Sequence, residues 1–156
     1  MKTELNKKVP NFKVSVTGKS DLDSRDLLGK KVVIYFYPKD NTPGCTTEGE
    51  NFRDLYPKFQ KLNTEIYGVS RESIKSHEGF IKKFNFPFEL ISDPDELLCN
   101  LFDVIKEKSM YGKKYLGIER STFLIDEKGK LIKEWRKVKV PGHAQEVLES
   151  IIELAS

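Results

Sequence analysis

A cysteine at residue 45 stands in the segment PKDNTPGCTTE, between an apolar run and a stretch of helical periodicity. Two readings of such a residue compete. As a small hydrophobe it would pack in a core. At or just before the first turn of a helix, unpaired backbone N–H groups and the positive end of the dipole favour an anion, which for cysteine is the nucleophilic thiolate. Position alone leaves both open. The polar residues around it also have ordinary readings. Pro38 can end a strand, Thr42 can cap a turn, Glu48 can favour a helix N-terminus, and Arg120, far along the chain, can be a surface charge.

The elements that must position these residues follow from the hydrophobic pattern. KVVIYFYP, from Lys31, is continuously apolar and rich in β-branched and aromatic residues, as a strand buried on both faces is. It ends where the Cys45 segment begins, and reactive groups in open α/β sheets gather at the carboxyl ends of strands. Residues 46–62 place Phe52, Leu55, Tyr56, Phe59 and Leu62 at helical spacing, with Pro57 expected to kink or break the helix. A strand at 65–70, a helix at 73–84 with Ile74, Phe80, Ile81 and Phe84 as apolar positions, and a strand at 88–92 come next. Asp93 is expected to cap a helix with Pro94 at its first position, Glu96 completing a capping box, and Leu98, Leu101, Phe102 and Ile105 as its apolar face. Residues 122–126 and 131–135 flank Glu127-Lys128-Gly129-Lys130 and read as a hairpin. The chain closes with a helix from about His143, buried through Val147, Leu148, Ile151 and Leu154. Behind a less defined N-terminal extension, this order implies an α/β architecture in which a central mixed sheet with an antiparallel edge is flanked by helices. A thioredoxin-like fold satisfies it.

Pro38, Thr42 and Cys45 stand in the spacing Pro-x-x-x-Thr-x-x-Cys, which matches the active-site signature of the peroxiredoxins. FYPKDNTPGCTTEGENFRD, together with VPNF near the start, LISDPD and GIERSTFLIDEKGK, resembles the peroxiredoxin Q group, also called bacterioferritin comigratory proteins, over nearly the whole chain. The resemblance implies a thiol-dependent peroxidase in which the Cys45 thiolate attacks the O–O bond of a hydroperoxide and becomes a sulfenic acid. It assigns Thr42 to holding the peroxide in line with the sulfur and Arg120 to supplying positive charge to the thiolate and the developing oxyanion. Pro38 would exclude water, and Glu48 would pair with and orient the arginine. The family also implies recycling by a thioredoxin-like reductant and a monomer or weak homodimer.

One departure bears on that cycle. Many members of the group carry a resolving cysteine five residues after the reactive one, and this chain has Glu50 there. The only other thiol is Cys99, 54 residues beyond Cys45 (99 − 45), beside the Leu98, Leu101, Phe102 and Ile105 stripe. It can pack in the core or act as the resolving thiol, and Glu50 favours a one-cysteine cycle with an external reductant.

Composition bounds the alternatives. A length of 156 residues suits one domain spanning the chain, and 27 basic against 24 acidic residues, mixed throughout, give no nucleic-acid-binding stripe. No window reaches the roughly 18 to 20 apolar residues of a membrane span, and the N-terminus lacks the apolar run of a signal peptide, so a cytoplasmic protein with reduced thiols is expected. Cys-x-x-Cys is absent because Glu48 holds the partner position, which excludes a dithiol oxidoreductase. Cys45, His77, Cys99 and His143 lack the close spacing of a metal site, and no glycine-rich nucleotide loop occurs, so neither metal nor organic cofactor is expected. His77 in an amphipathic helix and His143 at a helix start have structural explanations, which weakens a cysteine hydrolase. A non-catalytic thioredoxin-like module that only senses oxidation is the rival from another class.

Overall fold

The computed structural model describes residues 1–155. Strands β1 (Lys13–Val16) and β2 (Lys19–Asp23) form a hairpin in the N-terminal extension, followed by a 3-10 turn at Ser24–Leu27 and by β3 (Lys31–Phe36), the apolar run. Then come α1 (Pro43–Lys61), β4 (Thr64–Ser70), α2 (Ile74–Phe84), β5 (Glu89–Ser92) and α3 (Leu97–Leu101). Strands β6 (Ile105–Met110), β7 (Lys113–Ile118), β8 (Ser121–Ile125) and β9 (Leu131–Trp135) and helix α4 (His143–Ala155) complete the chain.

Seven strands make one mixed sheet in the order β2-β1-β5-β4-β3-β8-β9, with β3, β4 and β5 parallel and the pairs at both edges antiparallel. Because side chains alternate across a strand, β3 sends Val32, Ile34 and Phe36 to one face and Val33, Tyr35 and Tyr37 to the other. On the second face lie Phe52, Tyr56 and Phe59 of α1, Phe80 of α2, and Val147, Leu148 and Ile151 of α4. The first face is covered by Val9 and Phe12 from the N-terminal segment and by Leu98, Phe102, Val104 and Ile118. There Phe102 and Phe123 pack with ring centroids 4.7 Å apart. A side chain of this size contributes about 1.5–3 kcal/mol when fully buried.

Four expectations need correction. Helix α1 starts at Pro43 and runs unbroken through Pro57 to Lys61, since Phe52, Tyr56 and Phe59 on both sides of the proline are buried on one face and hold the helix despite the lost amide. The helix after Asp93 is only five residues long, because Glu96 adopts a left-handed φ of 61° and delays its start to Leu97. Asp93 still acts as a cap, its carboxylate accepting from the amides of Leu98 (3.1 Å) and Cys99 (2.8 Å). Ile105 is not on that helix but opens a two-stranded sheet, β6 with β7, that the hydrophobic pattern does not announce. It is closed by Tyr111 and Gly112, both at positive φ, the two-residue turn that matches strand twist. Leu154 is 49% exposed, because the whole last turn of α4 from residue 152 lies in solvent.

Candidate active site

The end of β3 delivers the chain into a turn. Tyr37 is buried and its amide donates to the carbonyl of Val69 at 3.0 Å, which carries the direction of β3 one residue past its end, and Pro38 is half-buried beyond it. Asn41 reverses the chain at φ 64°, a left-handed conformation that asparagine tolerates better than most residues. Thr42 then takes the extended backbone of an N-cap, with Pro43 at the first helical position. The Thr42 hydroxyl donates to the carbonyl of Lys39 at 2.8 Å instead of capping the helix.

Cys45 is the third residue of α1, in the turn whose backbone N–H groups have no intrahelical acceptor, and is 2% exposed. Arg120 lies in the two-residue connection from β7 to β8 and donates from Nη2 to Cys45 Sγ at 3.3 Å. Its Nη1 donates to Glu48 Oε1 at 2.6 Å. A Cβ at Gly44 would meet Nη2 at 3.4 Å, an ordinary contact, so the guanidinium packs directly against the start of the helix. The structure thus brings Cys45, Glu48 and Arg120, 75 residues apart at the extremes, into direct contact.

Charge in this cluster is tightly balanced. Burial pushes Glu48 up to about 7, against the pull of Arg120 in the other direction. Its Oε2 is buried and has no hydrogen-bond partner among the described residues. Burial would lower Arg120, but the charges of Glu48 and Cys45 and their hydrogen bonds outweigh it, so the guanidinium is held more firmly protonated than usual. Behind the site, Thr122 Oγ1 lies 2.7 Å from His143 Nε2, and burial pushes that imidazole down, only partly offset by Glu146. His143 packs edge-on against Phe52 and Trp135, so it is a core residue of the α4 start.

Cys99 is elsewhere. It belongs to the cluster with Ile34 and Phe36, whereas Cys45 belongs to the one with Tyr35 and Tyr37, so the sheet lies between the two thiols. Burial, reinforced by the adjacent Asp93 carboxylate, pushes the Cys99 thiol well up, and it is fully buried.

A second polar cluster, which the sequence pattern does not announce as a whole, adjoins the site. Asp40, in the turn itself, is buried, with Oδ1 accepting from Tyr37 Oη at 2.6 Å and Oδ2 from Ser76 Oγ at 2.7 Å. His77 Nδ1 lies 2.8 Å from Asp40 Oδ2, and its Nε2 lies 2.9 Å from the carbonyl of Ile91. Burial alone would raise Asp40, yet the donors from His77, Tyr37 and Ser76 hold its carboxyl below the ordinary value. A signal was present in the sequence: His77 sits three residues after Ile74 and three before Phe80, on the apolar face, where an imidazole needs a buried partner.

Comparison with known proteins gives concordant results. The AhpC/TSA family model matches residues 5–134. Peroxiredoxin Bcp of Xanthomonas campestris is 56% identical over 138 residues, covering 88% of this chain and 86% of its own length. Peroxiredoxin Bcp of Bacillus subtilis is 46% identical over 155 residues, covering 99% of both chains. Among solved structures, X. campestris peroxiredoxin Q superposes with a TM-score of 0.88 at 54% identity, over 93% of this chain and 92% of that one. A second structure, of the X. campestris bacterioferritin comigratory protein, concerns its alkyl peroxide reduction activity, with a TM-score of 0.88 at 53% identity over the same shares.

Proposed function

The chain belongs to the AhpC/TSA family and is a thiol-dependent peroxidase of its peroxiredoxin Q group, and on that premise we propose that Cys45 is its nucleophile in a one-cysteine cycle. The Arg120 contact to Cys45 Sγ at 3.3 Å, braced by Glu48 at 2.6 Å, carries this assignment. A fixed guanidinium beside sulfur and a helix N-terminus beneath it place positive charge where the attack on peroxide develops negative charge.

Thiolate sulfur attacks one peroxide oxygen. The S–O bond forms as the O–O bond breaks, sulfur gives up two electrons, and the departing alkoxide or hydroxide takes a proton to leave as alcohol or water. Arg120 faces the oxygen on which negative charge develops. The Thr42 hydroxyl, its proton committed to Lys39, keeps lone pairs free to accept from the peroxide O–H and set its direction. Pro38, half-buried at the exit of β3, shields the sulfur from water. Hydrogen peroxide and alkyl hydroperoxides are the substrates.

An external thiolate then attacks the sulfenic sulfur and hydroxide leaves as water. A second thiol of the same reductant releases the Cys45 thiolate and carries away the disulfide. A thioredoxin-like dithiol meets this requirement. Support for the one-cysteine cycle comes from Glu50 at the local resolving position and from the burial of Cys99 on the other face of the sheet, since a disulfide needs α-carbons within about 7 Å. The test is peroxide consumption with thioredoxin and thioredoxin reductase. Wild type and Cys99→Ser turn over, and Cys45→Ser does not. A mass loss of about 2 Da on peroxide treatment that disappears in Cys99→Ser would make Cys99 the resolving thiol and end the one-cysteine assignment.

A further inference from the structure

The turn from β3 to α1 carries both Thr42 and Cys45, and its own backbone gives it little support. Asn41 is left-handed, the Thr42 hydroxyl is spent within the turn on Lys39, and Pro43 has no amide to donate. Besides the Arg120 contact at Cys45, what ties the turn to the body of the protein is Asp40. Its carboxylate takes Tyr37 Oη at the end of β3, and Ser76 Oγ and His77 Nδ1 from α2. Its backbone amide donates to Glu72 Oε1 at 2.7 Å, and that oxygen also accepts from Ser70 Oγ at 2.9 Å at the end of β4. His77 extends the tie to β5 through Ile91 O. That carbonyl can only accept, so Nε2 is the donor of this bond. The carboxyl ends of β3, β4 and β5 and the start of α2 therefore converge on one residue of the turn, two positions before Thr42.

We propose that Asp40 is a positioning residue that holds the Thr42–Cys45 turn in the arrangement for peroxide attack and, by the same contacts, sets how readily the turn opens to expose Cys45 to a reductant. The inference rests on the reading of Cys45 as nucleophile. Its consequence is a trade between the two halves of the cycle. A tight turn aligns peroxide with sulfur but keeps a 2% exposed Cys45 away from an incoming thiol. A loosened turn does the reverse. A destabilisation that leaves the turn closed has no reason to move the two steps in opposite directions.

The test measures two rate constants by stopped flow in the Cys99→Ser background: oxidation of Cys45 by hydrogen peroxide, and reduction of its sulfenic form by dithiothreitol. Misplacement of reacting groups by about 1 Å costs up to about 100-fold, so Asp40→Ala slows oxidation by about tenfold or more. It accelerates reduction several-fold over the same protein with Asp40 intact. Asp40→Asn, which retains an acceptor for Tyr37 or Ser76, recovers most of the oxidation rate. Glu72→Ala, which removes only the acceptor of the Asp40 amide, moves both constants in the same two directions by less, and serves if Asp40→Ala does not fold. Unchanged oxidation in a folded Asp40→Ala, or both constants falling together in step with Tm, overturns the inference. If Cys45 of the parent protein oxidises no faster than a free thiol, the reading of Cys45 itself fails, and this inference with it.

Discussion

Replacement of Glu48 by glutamine gives a sharp test of the electrostatics around Cys45. Glu48 is 1% exposed, Arg120 reaches only its Oε1, and its Oε2 has no hydrogen-bond partner among the described residues, so burial lifts the carboxyl from 4.5 to about 7. A group raised in this way binds its proton more tightly folded than unfolded. Its stabilising effect is complete below pH 4.5 and is lost as pH rises through about 7. Between pH 5 and pH 8 the loss amounts to about 2 to 3 kcal/mol at 1.36 kcal/mol per pH unit. Glutamine keeps the shape and an acceptor for Arg120 but cannot titrate. The measurement is urea unfolding at pH 5 and pH 8 with and without Glu48→Gln, both in a Cys45→Ser background so that the reactive thiol does not contribute. Other carboxylates cancel in the difference. Stability of Glu48→Gln relative to its parent should rise by about 2 to 3 kcal/mol from the lower to the higher pH. A constant difference would mean that Arg120 already holds Glu48 ionised at pH 5, and would refute the burial argument.

Four further outcomes follow from the structure. Arg120→Lys, which cannot span Cys45 and Glu48 with two donors of fixed geometry, should slow Cys45 oxidation by about 100-fold in stopped-flow traces, since one oxyanion donor is commonly worth that much. Gly49→Ala would place a Cβ 2.5 Å from Phe86 Cζ, a ring locked by stacking on Phe88 and edge contact with Phe80, and should cost about 1–3 kcal/mol in a denaturant melt. In the same experiment Gly79→Ala, with nothing within 4 Å of its Cβ on the exposed face of α2, should gain about 0.5–1 kcal/mol. Iodoacetamide should label Cys99 only after unfolding, as peptide mapping would show, because that thiol is fully buried and held protonated beside Asp93.

What the sequence discloses and what it hides divide along physical lines. The strand at Lys31 is legible because it is apolar on both faces, and Cys45 because it follows that strand at fixed spacing from Pro38 and Thr42. The contact of Arg120 with Cys45 is not readable from periodicity, since 75 residues separate them and only the pairing of β8 beside β3 joins them. The β6–β7 sheet is hidden because its strands are largely exposed and carry no apolar alternation. Only Tyr111-Gly112 marks it, and a lysine-rich hairpin has a weak pattern by nature. The short α3 is missed for a related reason. Pro94 and Glu96 are good helix-starting residues by local preference, and the left-handed turn at Glu96 overrides them so that Asp93 can reach the amides of Leu98 and Cys99. The Asp40 and His77 pair lies between these cases. A histidine on an apolar face announces a buried partner, but nothing local says that the partner belongs to the turn carrying Cys45.

On the proposed Cys45 cycle, the sheet also separates the second thiol of the chain from the reacting sulfur. Bringing Cys99 to Cys45 would require it to leave its face, breaking the Asp93 bonds to the Leu98 and Cys99 amides and withdrawing Leu98 and Phe102 from the core. Each of those two side chains contributes about 1.5–3 kcal/mol when buried, and each bond to a charged acceptor adds about 1.5–3 kcal/mol. Opening the first turn of α1 exposes far less, since Pro43, Gly44 and Thr47 are already exposed and Cys45 is the only side chain of the turn that is fully buried. The contacts that break there include that of Cys45 with Arg120, the Thr46 amide to the Thr42 carbonyl, and the bonds of Asp40 to Glu72 and α2. On the proposed cycle, opening toward an external thiol therefore disturbs less of the buried core than bringing Cys99 across the sheet would.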